Sequence, residues 1–183
     1  SAMTSILLSI FLVSCIPAPT SAPVLPEPEH IRYGRLEVCG ELPSALVNIC
    51  GMTGFRMENC AADYSMVYLT GWESPEDTST KDIYSPSDIL VYTTAVTKTV
   101  WNISVYFPET ESAEELSGQY EYVLRQAGLM YGEPEEVKET SVWFNRKEGA
   151  VSVEITKDGL VCMDIFDTRG VDMYFEEQKA AAL

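Results

Sequence analysis

The pattern of hydrophobic and polar positions changes near residue 33. Before that point the chain has one apolar run, Ile6 to Val13, and then a stretch at 17–28 that holds five of the ten prolines. Prolines at this density favour an extended, solvated segment rather than a packed element. From Tyr33 onward apolar residues recur at strand or helix spacing. The pattern therefore predicts one folded domain over 33–176 behind a separate amino-terminal region.

Strands are predicted where β-branched and aromatic residues concentrate. These runs are 35–40, 56–60, 65–71, 88–95, 99–107, 137–144, 150–156, 160–166 and 171–175. In 99–107, alternation places four apolar residues on a core face, opposite Asn102, Ser104 and Tyr106. The four are Trp101, Ile103, Val105 and Phe107. Short glycine-containing loops join the last four runs as consecutive hairpins.

Two helices are predicted. The longer, 112–134, begins with a capping box of Ser112 and Glu115 and ends at Gly132 and Pro134. Its core face is predicted from residues at helical spacing: Leu116, Tyr120, Val123, Ala127 and Met130. The shorter begins at 42–44 and ends before Gly54.

The order of elements predicts an α+β fold. We expect an antiparallel sheet of about eight or nine strands with two helices packed on one face. Each helix precedes four strands, which suggests a tandem α-β-β-β-β repeat.

The amino-terminal region resembles an export signal. Leu12-Val13-Ser14-Cys15 matches a lipobox, in which cleavage precedes a cysteine that is then acylated. Residues 1–15 are thus predicted as a signal-peptide-like segment and 16–32 as a proline-rich tether, with Cys15 as the lipid attachment site. The alternative is that 6–16 is a core element of the domain. Residues 1–3 and 177–183 have the character of cloning-derived residues, the latter forming a tail.

The net charge of the chain restricts the classes of partner that we expect. The chain has 12 Lys and Arg against 28 Asp and Glu, a formal net charge of −16. Such a surface repels phosphate backbones, so we expect no nucleic-acid partner. We expect contact with the membrane only through the lipid anchor. An unknown protein or glycan is the predicted partner, and no motif indicates a cofactor.

A resemblance to a family rests on three stretches. They are the helix ending Leu46…Cys50…Gly54-Phe55, the strand "WNISVYFPE" (101–109), and the "S-x-x-E-L-x-x-x-Y-x-x-V-L" helix that runs into "YGEP" (131–134). The chain, over about 33–175, resembles a group of small bacterial lipoproteins common in anaerobic gut bacteria. The resemblance implies export, a lipid anchor and an α+β fold, but no catalytic residues. The plan is also loosely similar to the β-lactamase inhibitor protein, which places two helices before each sheet segment.

Candidate chemistry is sparse. The chain's single histidine, His30, falls in the tether, which argues against a Ser-His or Cys-His site and predicts a solvated linker residue. The long polar loop 72–87 offers a binding surface of two aromatic residues and four acids: Trp72, Tyr84, Glu73, Glu76, Asp77 and Asp82. Aromatic side chains suit glycan or protein surfaces, and the acids suit a metal ion or a hydrolase. A solvated loop packed on the sheet explains the same residues.

Cysteine spacing indicates no zinc motif. Cys39, Cys50, Cys60 and Cys162 show no C-x-x-C pair, and both disulfides and buried thiols stay open.

The sequence predicts a non-enzymatic, lipid-anchored binding module of the cell envelope. The alternatives are a metal-binding protein or hydrolase that uses the acidic loop, and an envelope structural protein without a small ligand.

Overall fold

The computed structural model describes residues 30–33, 36–38, 55–60, 66–71 and 82–183. The strands are β1 Arg32–Tyr33, β2 Leu36–Glu37, β3 Phe55–Cys60, β4 Met66–Gly71, β5 Asp88–Thr93, β6 Val100–Tyr106, β7 Glu136–Val137, β8 Ser141–Asn145, β9 Gly149–Ile155 and β10 Val161–Asp167. The helices are α1 Ala113–Tyr131 and α2 Thr168–Ala181.

Eight strands form one antiparallel sheet in the order β3-β4-β5-β6-β10-β9-β8-β7, and β1 pairs with β2 separately. Two runs of four strands, β3–β6 and β7–β10, meet at the centre where β6 pairs with β10. The predicted α+β class with an antiparallel sheet of this size is confirmed. The shorter predicted helix, which begins at 42–44 and ends before Gly54, lies outside the described residues.

The hydrophobic core lies between α1 and one face of the sheet. Alternate positions of the strands supply its β-branched side chains, among them Val91, Ile103, Val105, Val151 and Val153. From α1, Val123 and Ala127 pack against them, each at most 1% exposed. Each fully buried aliphatic side chain contributes about 2 kcal/mol of transfer free energy. Because these side chains are buried, this face of the sheet is closed to solvent.

Helix α1 begins and ends close to its predicted bounds. The Glu115 amide donates to Ser112 Oγ at 3.1 Å, and the Glu115 carboxylate accepts from the Glu111 amide at 2.8 Å. Gly132, with φ 84°, ends the helix. The predicted core position Met130 is wrong, because its side chain is 44% exposed and the adjacent Tyr131 is buried.

Helix α2 replaces a predicted strand. The prediction of a strand at 171–175, and of a hairpin loop before it, is wrong because α2 spans Thr168–Ala181. Asp167 caps α2 by accepting from the Arg169 and Gly170 amides at 2.9 and 3.1 Å. Gly170 permits a close approach, since a Cβ there would lie 2.8 Å from Trp101 Cα. A local cap and a long-range contact thus outweigh the strand propensity of "VDMYF".

The end of α2 is fixed to the turn between β5 and β6. Glu177 accepts from the Val96 amide at 2.6 Å, from the Thr97 amide at 3.2 Å and from the Thr97 hydroxyl at 2.7 Å. Although desolvation opposes it, these hydrogen bonds lower the pKa of Glu177 below its ordinary value. Glu177, in the segment predicted as a tail, is thus bonded to a turn of the domain.

His30 is not a solvated linker residue, so that prediction is wrong. Its Nδ1 lies 2.9 Å from Asp167 Oδ2, and the His30 side chain is 16% exposed. The next residue, Ile31, is 4% exposed and belongs to the core. The chain is packed against the domain from residue 30.

Candidate functional site

The face of the sheet opposite α1 carries polar and aromatic side chains; we call it the polar face. Directly paired residues of antiparallel strands project to the same side. Asn102 pairs with both Tyr92 and Phe166, and Ser104 pairs with Leu90 and Asp164. Across the other strands the same face includes Met66, Tyr68, Asp88, Tyr106, Trp143, Ser152, Glu154 and Cys162. Among the described elements, α2 alone packs on this face, at its Trp101 end.

Trp101 belongs to the polar face, and its predicted place on the core face is wrong. The β5–β6 register steps from Tyr92↔Asn102 to Thr93↔Val100, which leaves Trp101 as an extra residue in a bulge. The Trp101 ring centroid lies 6.0 Å from that of Tyr92 and 6.2 Å from that of Phe166. The extra residue shifts the phase of the alternation, so Trp101 shares the polar face with Asn102 while Val100 is buried in the core.

Small polar groups at the centre of the polar face bond to one another. The Ser104 hydroxyl lies 3.2 Å from Asn102 Oδ1 and also contacts Asp164 Oδ1, while Asn102 Nδ2 donates to the Ile165 carbonyl at 3.3 Å. Cys162 Sγ lies 3.8 Å from Asp164 Oδ2. These interactions satisfy polar groups that burial would otherwise destabilise.

Burial raises the pKa values of the groups at the centre of the polar face. Desolvation raises the pKa of Asp164, and desolvation together with the Asp164 charge raises that of Cys162. Desolvation also raises the pKa of Tyr106 and of Tyr92, with Asp164 and Cys162 adding to both shifts. Cys162 is 1% exposed and forms no disulfide. A buried, neutral thiol of this kind is a packing residue rather than a nucleophile.

One end of the polar face, beneath α2, holds a cavity of about 440 Å³; we call it the aromatic cavity. Three of its lining residues have rings: Tyr92, Trp101 and Tyr174. Trp101 and Tyr174 stack with centroids 4.6 Å apart and planes at 27°. Its remaining lining residues are Met66, Thr93, Ala95 and Gln178. The volume lies in the range typical of small-molecule sites.

The other end of the polar face holds a second cavity of about 380 Å³; we call it the acidic cavity. Tyr68 donates its hydroxyl hydrogen to Asp88 Oδ1 at 2.7 Å, and Ser87 Oγ donates to Asp88 Oδ2 at 2.8 Å. Tyr106 and Glu109 also line this cavity. The two cavities flank Leu90, so a ligand that lay along the strands would contact rings at both ends.

A third cavity, of about 490 Å³, lies where α1 ends. Its lining includes the cations Arg32, Arg146 and Lys147. A Cβ added to Gly132 would lie 3.3 Å from Arg146 Nη1, so this guanidinium sits beside the carboxyl-terminal end of α1. The last turn of α1 contains no basic residue, and Arg146 supplies the positive charge that a helix carboxyl terminus favours. We therefore assign Arg146 a structural role.

Of the sequence-predicted loop residues, the structure describes Tyr84 and Asp82, and neither lies on the polar face. Tyr84 is 44% exposed, and its ring tilts against that of Tyr122 on α1 at 4.9 Å. The Asp82 carboxylate accepts from Ser85 Oγ at 2.5 Å and from the Tyr84 amide at 3.0 Å. The Ser85 bond, followed by the Tyr84 bond, lowers the pKa of Asp82. Asp82 thus stabilises a local turn.

The remaining predicted site residues lie outside the described part of the chain. These are Cys15, Trp72, Glu73, Glu76 and Asp77. Lipid attachment and an acidic-loop site therefore stay predictions. Within the ranges described above, no group of three or more His, Cys, Asp or Glu side chains is arranged to hold a metal ion. Neither α1 nor α2, the helices of the described residues, has the length and apolar character needed to cross a membrane.

Comparison of the chain with protein-family models, curated proteins and solved structures found no match. The resemblance to small bacterial lipoproteins therefore stays a prediction, and function has to be argued from the site itself.

Sequence reasoning missed the residues that build the aromatic cavity. Alternation in 99–107 did place Asn102, Ser104 and Tyr106 opposite the core, which was the available signal for the polar face. The sequence pattern predicts Tyr174 in a strand and Trp101 on the core face. Their contact depends on the bulge and on the docking of α2, which periodicity does not report.

Proposed function

We propose that the chain is a non-enzymatic binding module of the bacterial cell envelope that holds its partner on the polar face. The observation that carries the proposal is the polar face itself. Partly exposed rings, those of Tyr68, Tyr92 and Tyr106, lie along a face that α1 leaves uncovered, with a cavity at each end. Aromatic side chains of this kind supply large contact areas at a small entropic cost.

The bonding of the reactive side chains supports binding rather than catalysis. Ser104 lies against Asp164 and Asn102, with no imidazole in contact with it, and the single histidine, His30, is bonded to Asp167. Cys162 is buried and its pKa is raised. A hydroxyl or thiol nucleophile is commonly activated by an adjacent imidazole or by a lowered pKa, and neither is found at Ser104 or Cys162.

The sequence supports the cellular context of the proposal. A lipobox cysteine, Cys15, and a proline-rich tether would hold the domain at a membrane surface, periplasmic or outward-facing. The net charge of −16 disfavours nucleic acid and favours a neutral or basic partner, either a glycan or a protein. In this proposal the chain contacts the membrane only through the lipid anchor at Cys15.

A pair of tyrosine variants tests the proposed binding face. Binding of the full chain to a glycan array and to purified envelope proteins of the producing bacterium is measured for Tyr106→Ala and Tyr84→Ala. We expect Tyr106→Ala to weaken binding several-fold and Tyr84→Ala to leave it unchanged, with circular dichroism showing that both variants fold. Binding that depends on Tyr84 alone would place the surface on the loop and refute the proposal.

The anchor requires a separate test. Mass spectrometry of the protein purified from its own host should find an acylated amino-terminal Cys15. An intact chain with Cys15 unmodified would contradict the anchored state without bearing on the polar face.

A further inference from the structure

Among the described residues, none of those that line the aromatic cavity is charged. All seven lining residues are apolar, aromatic, hydroxyl-bearing or amide-bearing. In a chain with 22% charged residues and a net charge of −16, this is the one of the three cavities described above without an ionic group. A charged ligand entering it would lose hydration without meeting a counter-charge. The cavity therefore suits an uncharged ligand.

The rings of the cavity suit a flat ligand with an apolar face. Tyr174 and Trp101 stack at 4.6 Å, and Tyr92 lies at the edge of the pair, 6.0 Å from Trp101. All three side chains are partly exposed. A pyranose ring has a face of C–H groups that packs on aromatic rings, and its hydroxyls point outward from its edge.

The polar groups beside the rings suit hydroxyls. The Tyr92 and Tyr174 hydroxyls and the Gln178 amide can each donate and accept hydrogen bonds. Sugar hydroxyls also do both, so they can pair with these groups in either direction. A basic peptide would instead require acceptors alone, and carboxylates are found in the acidic cavity, not here.

We propose that the aromatic cavity is a subsite for one sugar unit of a neutral glycan that continues along β5 towards the acidic cavity. This inference rests on the proposed function and names its ligand class. About four residues of β5 separate the two ends, which is about 14 Å at about 3.4 Å per residue. A chain of several linked sugars spans that distance, which a single monosaccharide does not.

Trp101 provides a reporter inside the subsite. The chain has three tryptophans, so the variant Trp72→Phe/Trp143→Phe leaves Trp101 as the only one. The emission of this variant is followed during titration with neutral hexasaccharides based on glucose, N-acetylglucosamine, mannose and xylose. Oligogalacturonate and oligolysine are titrated in parallel as anionic and cationic probes.

We expect at least one neutral hexasaccharide to change the Trp101 emission saturably. In the same background, Tyr174→Ala should weaken that binding about ten-fold, because one stacking ring is lost. Tyr84→Ala is the matched control, since Tyr84 packs on Tyr122 outside the cavity, and it should leave the affinity unchanged. Gln178→Glu, of nearly equal size, should weaken the neutral sugar by introducing a charge.

Three other outcomes overturn the inference. They are saturable binding of oligolysine that Gln178→Glu tightens, a preference for oligogalacturonate, and no response to any neutral hexasaccharide. If glycan or protein binding depends on Tyr106 while Tyr174→Ala has no effect, the subsite fails and the binding face stands. If neither Tyr106→Ala nor Tyr174→Ala alters binding, both proposals fail.

Discussion

Glu177 offers a sharp test of how the structure holds the aromatic cavity together. Its carboxylate fixes α2 to the β5–β6 turn through three hydrogen bonds from Val96 and Thr97. Tyr174 and Gln178 lie on the same helix, three residues before and one after it, and both line the cavity. Glu177→Ala removes all three bonds and leaves the rest of the helix surface as it was.

The expected cost follows from those bonds. A net contribution of about 0.5–1 kcal/mol per bond, at the low end because the site is partly exposed, gives a loss of about 2 kcal/mol. In a chain of this size that corresponds to a fall in Tm of about 4–8 °C. The measurement is urea unfolding at pH 7, followed by circular dichroism.

The pH dependence of the unfolding free energy provides a second test of the same interaction. The folded-state pKa of Glu177 is lowered, so the unfolded chain binds the proton more tightly and the stabilisation is present above the ordinary value of 4.5. It is lost as pH falls through the lower folded pKa. The difference between the wild-type protein and Glu177→Ala should therefore shrink below about pH 4.5.

Glu176→Ala is the matched control for this variant. It removes the same charge from the neighbouring position of α2, where the side chain is exposed. We expect its unfolding free energy to stay within about 0.5 kcal/mol of the wild type, as is usual for surface substitutions. Equal effects of the two variants, or an effect of Glu177→Ala that does not change with pH, would refute the reasoning.

Three further substitutions test the packing of β9, β10 and α2. Gly149→Ala should destabilise the fold by about 3 kcal/mol or prevent folding, because the new Cβ would lie 1.9 Å from the Phe166 carbonyl oxygen; a wild-type Tm would contradict this. Asp164→Asn should raise the unfolding free energy at pH 7 but not at pH 3. The raised pKa of Asp164 makes the wild type lose stability as pH rises above 3.8, and a less stable variant at pH 7 would oppose this. Asp167→Ala should cost about 2 kcal/mol in urea unfolding through loss of the α2 cap, whereas Asp167→Ser, which retains a capping oxygen, should recover part of it; equal losses would argue against the cap.

Local signals made the larger part of the fold predictable. The capping box of Ser112 and Glu115, and the glycine at position 132, fix α1 from neighbouring residues alone. Period-2 alternation locates the central strands, and the glycine-containing loops at 145–149 and 157–159 locate the β8–β9 and β9–β10 hairpins. These features depend on residues close together in the chain, which is why a single sequence reveals them.

The aromatic cavity could not be predicted in the same way. "VDMYF" has the composition of a strand, and it becomes helical because Asp167 caps it and Gly170 packs on Trp101. The bulge that turns Trp101 to the polar face arises from its pairing with β5. Both effects depend on contacts between distant residues, as does the hydrogen bond of His30 with Asp167. Long-range contacts of this kind produce no periodic pattern in the sequence.

Chemical-shift mapping of a bound ligand tests the central claim most directly. The full chain, labelled with ¹⁵N, is titrated with the probe that binds best among the glycans and proteins screened. Perturbed amides should belong to β5, β6, β10 and the Tyr174–Gln178 turn of α2. Perturbations confined to α1, or to residues 82–87 around Tyr84, would contradict a binding site on the polar face.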